Sequence, residues 1–246
     1  YNLCLKDDPP KPTTKKSDGK FKKCKTKYSI TDTKQFYKYN DELHVIGGRN
    51  QAISILKTIR DFKDYEKTRN TLSIETTNLS AYLKFGCISI REAYAKFKKA
   101  FGKRDPLIRQ LIWRDFYYHL GYGFIDRFGD SLKEQYDNIK WDNNRTLFNK
   151  WKEGRTGYPV IDACMTQINK TGYMHNRGRL LVSSFLIKNL GIDWRWGEKY
   201  FAQSLVDYDV LVNNGNWQWT SGSGADSQPY FRVFNPWIQS DRYDKN

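Results

Sequence analysis

Nowhere does the 246-residue chain gather the roughly 18–20 consecutive apolar side chains that a bilayer-crossing helix needs. A membrane-spanning helix is therefore excluded. No signal peptide opens the chain, which starts on Tyr1 instead of Met and so reads as a piece of a longer protein. Cysteine and histidine are also scarce. Cys4, Cys24, Cys87 and Cys164 have spacings that fit neither a zinc site nor a small disulfide framework, and three histidines are too scattered for a metal cluster. A reduced, intracellular protein without structural metal is expected. Sustained β-type alternation and internal repeats are missing as well, which leaves an all-α domain with short connections.

What the chain has in excess is positive charge and tryptophan. The net charge is +15, from 42 Lys and Arg against 27 Asp and Glu, a balance that suits a polyanionic partner such as nucleic acid. Residues 1–27 hold nine Lys against three Asp, so most of the excess lies elsewhere. Lys-rich, with Pro9, Pro10 and Pro12 and little periodicity, residues 1–46 read as a basic tail or linker. Residues 47–246 read as the helical domain. All eight tryptophans fall between Trp113 and Trp237; most belong in a core, and the number leaves room for a redox or stacking role.

The spacing predicts helices near 48–62, 89–101 and 106–121, the last opened by Asp105 as N-cap with Pro106 at the first helical position. Further helices are expected at 159–171, at about 173–189, and from Asp193 through Leu205. In the helix after Asp105, Ile108, Ile112 and Phe116 repeat every four residues and should face the core. Gln110, Trp113, Arg114 and Tyr117 share another face, which suits a cavity wall, a nucleic-acid surface or a wet face with one snorkelling indole.

Three polar segments adjoin apolar helices. Thr76, Thr77 and Ser80 offer hydroxyls to phosphate oxygens, or serve as plain caps. Arg177 and Arg179 stand at a helix start, where cations oppose the macrodipole. A buried carboxylate, a ligand phosphate or simple surface exposure would account for them. Asp207 and Asp209 precede Asn213, Asn214, Asn216, Trp217, Gln218 and Trp219, a set costly to bury unless paired with a ring rich in donors and acceptors; a polar surface loop is the alternative.

Taken together, residues 151–167 (WKEGRTGYPVIDACMTQ), 171–201 (TGYMHNRGRLLVSSFLIKNLGIDWRWGEKYF) and 207–236 (DYDVLVNNGNWQWTSGSGADSQPYFRVFNP) resemble the photolyase/cryptochrome family. TTNLSAYLKFG at 76–86 and LIWRDFYYHLGY at 111–122 extend the likeness to about residues 47–246. The nearest pattern is that of the class I enzymes for cyclobutane pyrimidine dimers. The His-rich counterpart of MHNR found in (6-4) photolyases is absent, as are the departures of plant cryptochromes.

The resemblance implies the FAD-binding helical domain, without the family's N-terminal α/β antenna domain and with the last helical segment cut short. It implies a folded FAD, active when reduced, with no antenna chromophore on this chain; the antenna domain would be separate. Tyr65, Thr76, Thr77, Leu79 and Ser80 match positions that hold the ribityl and phosphate groups, and Arg114 matches a cavity arginine. Asp207 and Asp209 match carboxylates meeting the flavin and its adenosine portion, with Arg179 pairing Asp207. Asn213 matches the residue beside flavin N5. Trp217, Trp194 and Trp141 match an electron relay to the surface. Trp113 and Trp219 match aromatic walls of a mouth for the flipped dimer, and Asn176, Arg177 and Arg232 match its polar and phosphate contacts.

Some positions depart from the pattern. Gln110 stands where class I enzymes usually have Glu, a proton or hydrogen-bond donor to the dimer. Leu180 replaces a usual Met, Asn78 a usual Arg and Tyr173 a usual Trp. The implied activity is light-driven repair of dimers in UV-damaged DNA by a monomer. Gln110 keeps open a cryptochrome-like photoreceptor, and the missing domain and basic tail a repair-deficient remnant that only binds DNA.

Overall fold

The computed structural model describes residues 6–12, 38–127, 129–227, 229 and 231–244. Most of the Lys-rich stretch, with Cys4 and Cys24, lies outside the described residues, as does Tyr230. Among the described residues there is no β-strand, and no helix is long and apolar enough to cross a membrane.

The first half holds α1 (Arg49–Lys57), a 3-10 turn over Ile59–Phe62, α2 (Tyr65–Thr68), α3 (Ser80–Lys84), α4 (Ile90–Phe101) and α5 (Pro106–Gly123). The second holds α6 (Arg145–Lys152), α7 (Pro159–Thr171), α8 (Asn176–Ser184), α9 (Trp194–Ser204), α10 (Val210–Ser221) and α11 (Pro236–Tyr243). Local chemistry sets many of the ends. Ser89 and Glu92 form a reciprocal capping box at α4, Asp105 accepts from Leu107 N–H ahead of Pro106, and Gly172 takes the left-handed conformation that ends α7. The stretch expected as one helix at 173–189 is extended through His175, helical from Asn176, and widens into a π turn over Phe185–Asn189.

Two apolar clusters result. One joins Leu56, Ile59, Leu79, Tyr82, Phe97, Leu107 and Ile108 from α1 to α5; the other joins Trp151, Met165, Leu181, Phe185, Trp194, Phe201 and Trp217 from α6 to α10. On α5 the core positions are Leu107, Ile108, Leu111 and Tyr117. Ile112 packs on the first cluster, while Phe116 is only half-buried and stacks edge-on against Trp113 and Tyr117. The expected every-fourth-residue face therefore rotates toward Leu111, because Phe116 is drawn into the aromatic group at the helix's other side.

Helix α10 runs between α5 and α9, and two glycines make that approach possible. A Cβ at Gly215 would sit 2.3 Å from the Tyr117 ring, and one at Gly197 would sit 2.2 Å from the Trp217 indole and 2.6 Å from Leu186. Trp217 cannot yield, since Phe201 and Trp151 hold it at centroid distances of 5.1 and 6.4 Å. Gly197→Ala should therefore destabilise the protein. Overpacking costs about 1–3 kcal/mol, more than the roughly 0.5–1 kcal/mol of helix propensity it gains. A lower urea midpoint at unchanged m-value is the expected reading.

Candidate functional site

Between the two clusters lies a cavity of about 560 Å³, within the ~300–1,000 Å³ range of small-molecule and cofactor sites. The α5 stripe forms one wall: Gln110, Trp113, Arg114 and Tyr117 all line it. The rest of the lining includes Tyr65, Thr76, Thr77, Leu79 and Ser80 from the α2–α3 region, Asn176 and Arg179 from α8, and Asp207, Asp209, Asn213, Trp217 and Trp219 from α10 and its approach. Trp113 is 43 % exposed and marks the open side.

Four of the expected residues lie off the cavity. Trp194 is buried in the second cluster, with Trp141 packed against that cluster nearer the surface. Arg177 donates to Asn70 Oδ1 at 2.7 Å and lies 4.3 Å from the Tyr243 ring centroid. Arg232 is exposed, with its guanidinium 5.8 Å from the Phe234 ring.

Asp207 is the anchor of the polar wall. Its side chain is 3 % exposed, and it accepts from Arg179 Nη2 at 2.9 and 3.1 Å and from Ser80 Oγ at 2.7 Å. Arg179 also donates through Nε to the Met174 carbonyl at 2.8 Å. Burial pushes the Arg179 guanidinium down, yet Asp207 and Tyr173 together more than offset this and its pKa ends above the ordinary value. The buried carboxylate thus explains a cation near the start of α8.

Asp209 performs two tasks. Its Oδ1 caps α10 by accepting from Leu211 and Val212 N–H at 3.2 Å, while Oδ2 accepts from Tyr118 Oη and Lys84 Nζ. Arg114 in turn donates to Tyr118 Oη at 2.9 Å. Burial alone would raise the Asp209 carboxyl; the Tyr118 hydroxyl, the Val212 N–H, Lys84 and Arg114 hold it below its ordinary value.

Sequence reasoning missed Tyr118, Lys84 and Glu198. Asn213 Nδ2 donates to Glu198 Oε1 at 3.0 Å, and Tyr208 Oη donates to the same oxygen at 3.4 Å. Burial raises the Glu198 carboxyl, and those two donors partly oppose it. A carboxylate only accepts, so Glu198 fixes which end of the Asn213 amide faces it and turns Oδ1 away. No single-sequence signal marks Glu198, which sits among Trp, Gly and Lys on α9. Arg69 was missed too, although its position on the turn after Tyr65 places it in the cavity lining.

His175 caps α8 through Nδ1, which accepts the Arg177 N–H at 3.1 Å. Burial first, then Arg177 and Arg179, lowers its pKa to about 4 from an ordinary 6.5. Between those values the unfolded chain binds a proton that the folded one refuses. Stability is therefore full above the ordinary value and lost as pH falls toward 4, by roughly 3 kcal/mol. Glu198 works the other way, because its raised pKa lets the folded state keep a proton and costs stability as pH rises. His175→Asn retains a capping oxygen, so it should flatten the loss between pH 7 and 4.5 seen by urea unfolding. Equal slopes in the two proteins would count against this assignment. For the anchor, Arg179→Met should cost about 3–5 kcal/mol, as breaking a buried pair does, whereas Arg179→Met with Asp207→Leu should cost less.

A family model described as the FAD binding domain of DNA photolyase matches residues 107–246. The deoxyribodipyrimidine photo-lyase of Buchnera aphidicola from Acyrthosiphon pisum is 45 % identical over 211 residues, 81 % of this chain and 44 % of that protein. That of Escherichia coli K12 is 42 % identical over 193 residues, 74 % of this chain and 40 % of its own length. Among solved structures, an archaeal photolyase from Sulfolobus tokodaii, crystallised with two FAD molecules, superposes with TM-score 0.75 at 47 % identity over 82 % of this chain and 45 % of its own. A Synechocystis cryptochrome gives TM-score 0.77 at 36 % identity over 87 % of this chain and 47 % of its own. The chain spans less than half the length of the curated relatives it matches. With its helical architecture and its lined cavity, the chain belongs to the DNA photolyase family and carries that family's FAD-binding domain.

Proposed function

We propose that this chain holds reduced FAD and a flipped cyclobutane pyrimidine dimer in one cavity and supports light-driven repair of UV-damaged DNA. The observation that carries the reading is the division of the 560 Å³ cavity's lining. Hydroxyls of Thr76, Thr77 and Ser80, the Arg179–Asp207 pair and Asp209 suit the phosphates, ribose and adenine of a dinucleotide. Leu79, Phe201 and Trp217 suit a flat ring system, and Asn213 turns its Oδ1 away from Glu198, free to accept a ring N–H. The residues present therefore fit FAD in charge, donor pattern and size.

The chemistry FAD supplies when bound is light-driven electron donation to the dimer, with return of the electron after ring opening. The protein's part is to hold and exclude. A base pair must leave the duplex to reach such a site, and Trp113 and Trp219 offer faces on which extruded bases can stack, with Asn176 beside them. Burial chiefly, and then the charges of Arg69, Arg242 and Arg232, lower the Arg177 pKa against the opposing pull of Tyr243. Such a cluster suits backbone phosphates and makes affinity fall with salt. Trp217 in the cavity wall, Trp194 in the core and Trp141 at the edge of that core would offer readily oxidised indoles through which an external reductant could supply electrons to a bound flavin.

Gln110 is the position that bears on rate. It lines the cavity, and its Nε2 makes only a long contact, 3.4 Å, to the Pro106 carbonyl. An amide donates a hydrogen bond but no acid proton. A cryptochrome-like receptor, keeping the cofactor without repair, is the second reading that Gln110 favours.

The test is incubation with dimer-containing oligonucleotide under blue light and in darkness, after recording the absorption spectrum. Flavin bands with dimer loss only in light are expected. Bands without loss would support the receptor, and no bands would leave a DNA-binding remnant. Gln110→Glu should raise the repair rate roughly fivefold, the worth of about 1 kcal/mol from a stronger hydrogen bond to developing negative charge. An unchanged rate would remove Gln110 from the mechanism.

A further inference from the structure

The cavity's polar wall is braced from outside by a segment that does not line it. Residues 40–46 run across the end of α7 toward α3. Asn40 Nδ2 donates to the Lys170 carbonyl at 3.0 Å, His44 N–H donates to the Thr171 carbonyl at 3.0 Å, and the Ile46 carbonyl accepts from Tyr82 Oη at 2.7 Å. Val45 packs on the first apolar cluster. The segment therefore ties the end of α7, beside the second cluster, to α3 in the first, and both clusters contribute residues to the cavity lining.

At its centre the His44 ring stacks on Tyr173, with centroids 4.3 Å apart and planes within 10°. Tyr173 is 8 % exposed, and its ring is also flanked by the Arg179 guanidinium, 5.3 Å from the centroid. The Tyr173 hydroxyl lies against Thr76. From Arg179 the contacts pass to Asp207 and on to Ser80. His44 is thus one ring removed from two groups of the cavity wall, Thr76 and Arg179, and through Arg179 it is linked to Asp207. Its Nε2 is buried without a hydrogen-bond partner among the described residues. The imidazole accordingly contributes through its stacked face and not through polar contacts of that nitrogen.

We infer that His44 is a positioning residue: by fixing the Tyr173 plane it holds Arg179, Asp207 and Thr76 in the arrangement that retains the dinucleotide cofactor. This rests on the FAD-binding reading above. A stacked aromatic pair contributes modestly beyond the area it buries. Here that energy orients a side chain held between the 40–46 segment and a buried ion pair, so part of it is felt as cofactor affinity.

The experiment is titration of FAD into the cofactor-stripped full-length protein, followed by flavin fluorescence, with urea unfolding of the cofactor-free form alongside. His44→Ala should raise the apparent FAD dissociation constant by roughly 3- to 10-fold, the span a stacked ring pair supports. His44→Phe restores a flat ring and should return it to within about twofold of wild type. If His44→Ala does not fold, His44→Leu, which keeps the volume but not the plane, carries the same expected loss. The inference is overturned if the folded Ala or Leu variant binds FAD as wild type does, or if His44→Phe binds as weakly as they do. The two readings fail differently: wild type that takes up no FAD sinks the cofactor reading and this one with it, whereas intact binding in the variants sinks this one alone.

Discussion

The structure turns on a carboxylate that cannot be left alone. Asp207 is nearly sealed from water, and a buried ion is tolerated only when paired and hydrogen-bonded on its remaining lone pairs. Arg179 supplies the charge and Ser80 the extra hydrogen bond. Those partners come from α8 and α3, one from each apolar cluster, and Ser80 and Asp207 stand 127 residues apart in the chain. Satisfying one side chain therefore draws the two halves of the domain together along the cavity wall. Asp209 repeats the device two residues later with Tyr118 and Lys84. Apolar contacts make the two clusters; the paired carboxylates decide how the clusters face each other.

That arrangement is expensive as a fold device. Ion pairs of this kind are often replaceable by apolar side chains without loss of stability, so stability alone does not account for two of them beside one hollow space. A wall that must meet charged and polar ligand groups does account for them. The same logic applies to Asn213 and Glu198, where a half-buried carboxyl with a raised pKa is kept next to the cavity and its cost is met by holding one amide in one orientation.

Much of this was legible before any coordinates. Asp105-Pro106 marks the start of α5, and its Gln110, Trp113, Arg114 and Tyr117 stripe proves to be a cavity wall, because capping chemistry and 3.6-residue periodicity are local. Helix α10 was not legible. Asn213, Asn214, Gly215 and Asn216 have poor helix propensity, and the segment reads equally as a loop until Asp209 caps it and Gly215 is seen to admit Tyr117. Tertiary packing overrides propensity there. The break within 173–189 was hidden too, because the apolar run after Arg179 continues through the π turn at Phe185–Asn189, whose i to i+5 hydrogen bonding leaves no mark in composition. Long-range partners such as Tyr118 and Glu198 carry no local signal at all.

The departures from the class I pattern can be separated by what surrounds them. Asn78 sits at φ 51°, in the left-handed region that asparagine enters more cheaply than arginine, and its amide reaches Glu75 at 3.3 Å. Leu180 keeps an apolar surface on the cavity and packs against the second cluster. Tyr173 is smaller than the usual indole, and the His44 ring stacked on it adds aromatic surface beside it. Each of these three has a neighbour that accommodates its side chain, although Asn78 in place of Arg removes a positive charge. Gln110 is a separate case. Its own chemistry moves from an acid to an amide, and its Nε2 makes a 3.4 Å contact with the Pro106 carbonyl of the same helix. Among these departures Gln110 is the one that changes hydrogen-bonding chemistry on the cavity wall, since an amide donates a hydrogen bond but carries no acid proton.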